Sequence, residues 1–254
     1  MAKTISIHSF RGGTGKSNIT ANLAACAAMH GMNVGIVDTD IQSPGIHVIF
    51  GMDETKPRHS LNDYLWGRCG VEEATHVVTP REVADQGGSV RLIPSSIKTG
   101  EITRILREGY DVGLLNDGFR EVTERFALDY LLIDTHPGLN EETLLSIAIS
   151  DALLVILRPD RQDLQGTAVT LEVARKLEVP ITRLLVNRMS RTVDRNTLKE
   201  QVEATFDVPV IGMFSDTEEM LQLGSAGVFC LEYPTHAFTD DLYNLTASVM
   251  RLVH

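Results

Sequence analysis

The feature that most constrains the fold of this chain is a glycine-rich segment near its amino terminus. Residues 10–17 read Phe-Arg-Gly-Gly-Thr-Gly-Lys-Ser, between an apolar run at 4–9 and a helical pattern at 17–29. A glycine-rich turn from a buried strand into a helix points several backbone N–H groups at one position, with the positive end of the helix dipole behind them. The sequence therefore predicts a phosphate-binding loop in an α/β fold.

The loop also supplies side chains for this site. Lys16 is expected to approach the β- and γ-phosphates of a nucleoside triphosphate, and the Ser17 hydroxyl is expected to ligate Mg²⁺. The other nucleotide-binding residues predicted here are Gly12, Gly13, Thr14, Gly15 and Asn18.

Composition sets limits on the class of protein. The chain has 254 residues, 43% of them hydrophobic and 22% charged, which is ordinary for one globular α/β domain, so we expect a single domain over residues 1–254. No apolar run approaches the ~20 residues that span a bilayer, and no signal-peptide pattern precedes the first strand, so we expect a cytoplasmic protein. The net charge of −11 argues against broad attraction to nucleic acid or anionic membranes.

Apolar strand-like runs alternate with helical patterns along the chain. This pattern predicts a three-layer α/β/α fold, with a mostly parallel sheet covered on both faces. The predicted strands are Thr4–Ser9, Val34–Asp38, Val90–Pro94, Tyr130–Asp134, Leu153–Leu157, Arg183–Asn187 and Val208–Met213. The predicted helices are Ser17–Met29, Ser60–Leu65, Thr99–Leu106, Asp117–Ala127, Glu141–Ala148, Leu164–Leu177, Asn196–Phe206, Asp216–Leu223 and Phe238–Val253. Residues 51–88 are less regular and are expected to decorate the edge of the sheet.

Acidic side chains close two of the predicted strands, at the edge where an open α/β sheet binds its ligands. Asp38 and Asp40 follow one strand, and Asp134 ends another. One aspartate at such a place could simply cap the next turn or helix. Carboxylates at two strand ends, with the loop upstream, favour a nucleotide-hydrolysing site in which Asp134 holds Mg²⁺. His136 could act near the γ-phosphate or be an ordinary turn residue, and we leave it outside the catalytic set.

Taken together, these motifs resemble those of the ParA/MinD family of P-loop ATPases. The loop fits the family's deviant Walker A pattern, Lys-Gly-Gly-x-Gly-Lys-[Ser/Thr], except that Arg11 replaces the first lysine. The Asp38-x-Asp40 pair resembles switch I, and Asp134–Gly138 resembles the Walker B and switch II segments. The resemblance covers nearly the whole chain, and the stretch Asp40–Gly51 is more similar to MinD than to plasmid ParA proteins.

The resemblance implies a P-loop ATPase that uses ATP and Mg²⁺ and forms an ATP-dependent homodimer. It implies that Arg11 reaches the phosphates bound to the other subunit, although arginine and lysine are not interchangeable where geometry matters. Catalysis would then involve Arg11, Lys16 and Asp40. We favour Asp40 for orienting water and Asp38 for the metal, while the sequence leaves that assignment open.

The resemblance extends to the base of the nucleotide. Asn187-Arg188 ends a late predicted strand, and the family has Asn-Arg at the matching position, where the asparagine contacts adenine. An asparagine amide can read the N6/N7 edge of that base because it offers both a donor and an acceptor. We therefore assign both residues to nucleotide binding.

Other branches of the family fit less well. The tail at 240–254 has an apolar helical face but Arg251 is its only full cation, so we do not favour membrane anchoring. Basic residues between 183 and 199 could form a nucleic-acid patch, but acidic residues are interleaved with them, so this partner is not favoured. The three cysteines are far apart and form no Cys-x-x-Cys motif, which gives no support to an iron–sulfur carrier.

The main hypothesis is an ATP-hydrolysing dimerisation switch that positions or regulates an unknown protein partner. That partner would stimulate or read the ATPase. The alternative is a nucleotide-binding adaptor with little or no hydrolysis, in which Arg11 marks an altered site. A biosynthetic or metal-insertion enzyme on the same fold would need an acceptor pocket or ligand cluster that we do not find in the sequence.

Overall fold

The computed structural model describes residues 2–52, 58–108 and 110–253. Its strands are β1 Lys3–His8, β2 Asn33–Asp38, β3 His76–Val77, β4 Ser89–Ile93, β5 Tyr130–Asp134, β6 Ala152–Leu157, β7 Ile181–Met189 and β8 Val210–Ser215. They form one eight-stranded sheet in the order β3-β4-β2-β5-β1-β6-β7-β8. The pairing of β3 with β4 is antiparallel, and the other pairings are parallel.

Helices cover both faces of this sheet. They are α1 Lys16–Ala28, α2 Ile46–Ile49, α3 Leu61–Leu65, α4 Arg81–Ala84, α5 Thr99–Glu108, α6 Val112–Arg125, α7 Glu141–Ala148, α8 Arg161–Lys176, α9 Arg195–Phe206, α10 Glu218–Leu223, α11 Phe229–Glu232 and α12 Ala237–Val253. The predicted α/β/α fold with a mostly parallel sheet is therefore confirmed.

Differences from the predicted elements are local. The structure adds β3 at the sheet edge, and its two residues are too few to produce a periodic pattern. It also adds α2, α4 and α11, which are helices of four residues each. Helix α6 begins at Val112 instead of Asp117, because Asp111 caps it by accepting a hydrogen bond from the Gly113 N–H. Part of the irregular stretch at 51–88, residues 53–57, lies outside the described residues.

The side chains of β1 show how the sheet separates two cores. Ile5 and Ile7 belong to the buried cluster that includes residues of α1 and α12. Ser6, between them, donates a hydrogen bond to the Ser146 carbonyl of α7, on the opposite face. Strands β5 and β6 are buried throughout, which explains their nearly continuous apolar sequence.

Helix α12 packs onto the sheet with its apolar face. Leu242, Leu245 and Val249 are buried in the same cluster as residues of α1. In the ranges that the structure describes, no helix combines the length and the apolar character required to cross a membrane.

The strand order brings three candidate segments to one edge of the sheet. Strand β5 lies between β2 and β1, with Asp38 directly opposite Asp134 in register. On its other side, Ile7 of β1 pairs with Asp134, so the glycine-rich loop that follows β1 begins beside that carboxylate.

Candidate functional site

Backbone conformation and a close approach explain the glycines of the loop. Gly13 and Gly15 have φ angles of +76° and +87°, in the left-handed region that favours glycine. A Cβ atom on Gly15 would stand 2.5 Å from the Asn187 Nδ2 atom. That amide nitrogen donates a hydrogen bond of 2.7 Å to the Thr14 carbonyl, so β7 holds the loop from the side.

Behind the loop, Asp134 gathers the polar side chains of α1. It accepts hydrogen bonds from Lys16 Nζ at 2.8 Å, from Ser17 Oγ at 2.7 Å and from Thr20 Oγ1 at 3.2 Å. Lys16 and Asp134 are 6% and 0% exposed, so they form a buried ion pair. The structure therefore brings together the predicted phosphate and magnesium residues, and it adds Thr20, which sequence reasoning missed.

Asp38 is buried, and the negative charge of Asp134 lies close to it. Its oxygens accept hydrogen bonds from the backbone N–H groups of Asp40, at 3.0 Å, and Gly45, at 3.2 Å. Burial and, next, the charge of Asp134 raise the pKa of Asp38 to about 8, although Lys16 opposes this shift. A divalent cation would relieve this concentration of negative charge.

The side chains gathered here suit a Mg²⁺ ion that is held partly by water and phosphate, and not by protein ligands alone. Within the described ranges, no group of three or more His, Cys, Asp and Glu side chains could hold a metal ion. Magnesium usually keeps several waters and takes one or two carboxylates together with the phosphates of its nucleotide. Ser17, Asp134 and Asp38 fit that mode of binding.

The two aspartates at the end of β2 have different surroundings. Asp40, but not Asp38, lines a cavity of about 310 Å³ together with loop residues 12–18 and Pro137. Its Oδ1 atom accepts hydrogen bonds of 3.1 Å from both N–H and Oγ of Ser43. The carboxylate is therefore held in place at the wall of the cavity.

A smaller pocket adjoins this cavity on the side of β7 and β8. Asn18, Asn187, Arg188, Asp216 and Thr217 are among the residues that line it. Arg188 lines both spaces, and its φ of +55° is unusual for a residue other than glycine. Because Asn187 uses its Nδ2 to hold the loop, the predicted two-point contact with adenine would have to share that amide nitrogen.

Arg11, the second cation of the loop, lies against the start of α8. Arg11 Nη1 is 3.6 Å from Asp160 Oδ1 and 3.5 Å from Asp163 Oδ1, and the arginine side chain is 38% exposed. The preceding Phe10 packs so closely on Gly166 that a Cβ atom there would collide with its ring. The structure thus separates Arg11 from the Lys16–Asp134 group, whereas the sequence places both cations in one motif.

A buried histidine lies under the loop, and sequence reasoning missed it. His8 Nδ1 is 2.8 Å from Thr135 Oγ1, which itself donates to the Ile7 carbonyl, so the His8 nitrogen is the donor in this contact. Burial, followed by the charges of Lys16 and His136, lowers the pKa of His8 to about 3. Ser225, a second missed residue, lines the large cavity with a φ of +66°. No motif marks either position.

Comparison with known proteins identifies a family and several relatives. A family model described as ParA, NUBPL iron-transfer P-loop NTPase, matches residues 1–229. An uncharacterized ATP-binding protein of Methanocaldococcus jannaschii is 27% identical over 251 residues, which cover 98% of this chain and 88% of that protein. The septum site-determining protein MinD of Bacillus subtilis is 26% identical over 233 residues, covering 89% and 81% of the two chains.

Solved structures share the fold. The septum site-determining protein MinD of Pyrococcus horikoshii, complexed with Mg-ADP, superimposes with a TM-score of 0.83 at 21% identity, covering 99% of this chain and 97% of that one.

Proposed function

The chain belongs to the ParA family of NUBPL-like P-loop NTPases, and on that premise we propose that it is an ATP-dependent dimerisation switch of the MinD type. It binds ATP with Mg²⁺, dimerises, hydrolyses ATP slowly, and positions or regulates a protein partner in the ATP state. The observation that carries this proposal is the division of the loop into a buried group around Lys16 and an exposed Arg11.

The buried group would hold the triphosphate and its metal. Lys16 would exchange part of its contact with Asp134 for phosphate oxygens, while the loop N–H groups receive the remaining phosphate charge. Ser17 and Asp134 would hold Mg²⁺, with Asp38 supporting them; the bound metal neutralises charge that develops on the phosphates. Asn18, Asn187 and Arg188 would contact the rest of the nucleotide.

Asp40 would orient the attacking water. It lines the phosphate cavity and its carboxylate is fixed by Ser43, whereas Asp38 is fully buried behind it. This difference supports the assignment of water to Asp40 and of the metal shell to Asp38.

Arg11 would act across the dimer. In the single chain it lies on α8, and its contacts with Asp160 and Asp163 are longer than charge-assisted hydrogen bonds. Such contacts break easily, which leaves the guanidinium available for the phosphates of a second copy.

Other activities of related proteins have less support. Iron transfer would need exposed paired thiolates, but Cys26 and Cys230 are buried and Cys69 lies elsewhere in the sequence. Nucleic-acid binding would use free cations between 183 and 199, but Arg195 pairs with Asp241 at 3.0 Å. We therefore propose neither activity.

Light scattering after size exclusion tests the switch. We expect a monomer with ADP and a dimer with a non-hydrolysable ATP analogue, and we expect Arg11→Ala to abolish the dimer. Arg161→Ala is the control, because this exposed arginine begins α8 close to the same site. A wild-type monomer with both nucleotides would contradict the proposal.

Phosphate release under saturating Mg-ATP separates a switch from an adaptor. We expect slow turnover in the wild type and at least about a hundredfold loss in Asp40→Ala, since an unpositioned water reacts poorly. ATP binding without turnover in the wild type would instead favour the nucleotide-binding adaptor.

A further inference from the structure

His136 lies in the turn after β5 and faces Asp40. Its Nδ1 contacts the carbonyl oxygen of Pro137, which can only accept a hydrogen bond, so Nδ1 carries the proton. In the neutral ring Nε2 therefore presents a lone pair. This nitrogen is 3.9 Å from Asp40 Oδ1, too far for a direct hydrogen bond.

Two acceptors that face each other at this distance are suited to share a donor. A water molecule can donate one O–H to each, since it carries two protons. The Asp40 side chain is 8% exposed and that of His136 is 20% exposed, so a shared water would be largely enclosed. Ser43 donates two hydrogen bonds to Asp40 Oδ1, which fix the carboxylate and make the shared water a third donor to that oxygen.

We propose that His136 is a catalytic residue that holds the attacking water together with Asp40. This role of His136 presupposes the proposed ATP hydrolysis. Because Asp40 lines the cavity of the phosphate loop, a water that donates to both acceptors stands at the wall of that cavity. Pro137, the residue after His136, lines the same cavity.

Hydrolysis of ATP by this water needs no other reagent. The water oxygen forms a bond to the γ-phosphorus, and the bond from that phosphorus to the bridging oxygen breaks. The electron pair of the broken bond leaves with ADP. Of the two water protons, one stays on the released phosphate and the other passes to solvent.

Steady-state hydrolysis of Mg-ATP by the full chain tests the role of His136. His136→Phe keeps a planar ring and removes the acceptor, so we expect kcat to fall at least about tenfold with KM for ATP unchanged. His136→Gln should recover part of the rate, because its amide oxygen can replace Nε2 as the acceptor. His30→Phe, an exposed ring at the far end of α1, is the matched control and should leave both constants unchanged.

A double variant tests whether the two residues act on one water. Asp40→Ala with His136→Phe should lose no more activity than Asp40→Ala alone, because residues that act as a unit are not additive.

The outcomes separate this inference from the proposal on which it rests. Wild-type turnover that persists undiminished in His136→Phe overturns the role of His136 and leaves the switch intact. A fall in kcat that His136→Gln does not relieve at all points to a structural role and also overturns it. Wild-type protein that binds ATP without any turnover overturns the proposed hydrolysis itself.

Discussion

Two cations of the same loop lie in opposite environments. Lys16 is 6% exposed and bonds to Asp134 at 2.8 Å, under the glycine turn. Arg11 is 38% exposed, and its contacts with Asp160 and Asp163 are 3.5 Å or longer. One cation is part of the buried structure around the sheet edge, and the other lies partly exposed against α8, beside one exposed and one buried carboxylate.

The difference separates two tasks that the motif places side by side. A buried cation among carboxylates stabilises the site before any nucleotide arrives, and removing it leaves charge unpaired in a low-dielectric environment. An exposed cation with long contacts contributes little to stability, so its identity is free to serve another purpose. The contrast predicts large energetic effects around Lys16 and small ones at Arg11.

The largest effect is expected from Lys16→Met. This change leaves Asp134 buried without its cation, next to Asp38, and should reduce the free energy of unfolding by about 3–5 kcal/mol. Urea denaturation of the nucleotide-free protein measures it. The control is Lys16→Met combined with Asp134→Asn, which removes the unpaired charge and should regain most of the loss. A single variant as stable as the wild type would show that Lys16 does not neutralise this site.

A smaller effect is expected from His8, which lies under the same buried region. Its folded-state pKa of about 3 is below the ordinary value of 6.5, so below pH 6.5 the unfolded chain takes up a proton that the folded chain refuses. The stability that His8 supplies is therefore complete above pH 6.5 and is lost as the pH falls toward 3. Between pH 6.5 and about pH 4.5 the loss should be about 2–3 kcal/mol.

His8→Gln provides the comparison, because glutamine does not titrate in this range. Urea denaturation at the two pH values should show the wild type losing about 2–3 kcal/mol more than the variant, after other groups cancel. Equal losses in both proteins would contradict the burial of a neutral His8.

The surroundings of Lys16 could be predicted from sequence, and the position of Arg11 could not. The spacing of the glycines predicts the loop. The aspartates at strand ends are predicted to lie beside it, because parallel strands place their carboxyl ends at one edge of the sheet. The resting place of Arg11 depends on α8, far along the chain, and on the packing of Phe10 against Gly166. No local pattern encodes such a contact.

The sequence also could not predict which hydrogen bonds the side chains of the site form. The motif assigns Asn187 to the base, but the structure commits its Nδ2 to the Thr14 carbonyl. The sequence leaves His136 as either a residue near the γ-phosphate or an ordinary turn residue, because it does not show the Nδ1 partner that fixes the ring proton or the Nε2 that faces Asp40. These choices depend on tertiary geometry and not on residue type.

The smallest effect is expected from Arg11→Ala in the nucleotide-free protein. Its contacts with Asp160 and Asp163 lack hydrogen-bond geometry, and Arg158 still bonds to Asp163 through its backbone N–H and Nε. The free energy of unfolding should therefore change by less than about 1 kcal/mol. Urea denaturation beside Lys16→Met measures the contrast directly. A loss comparable to that of Lys16→Met would mean that Arg11 stabilises its own chain, and a residue so committed could not be released to a second copy without a similar cost.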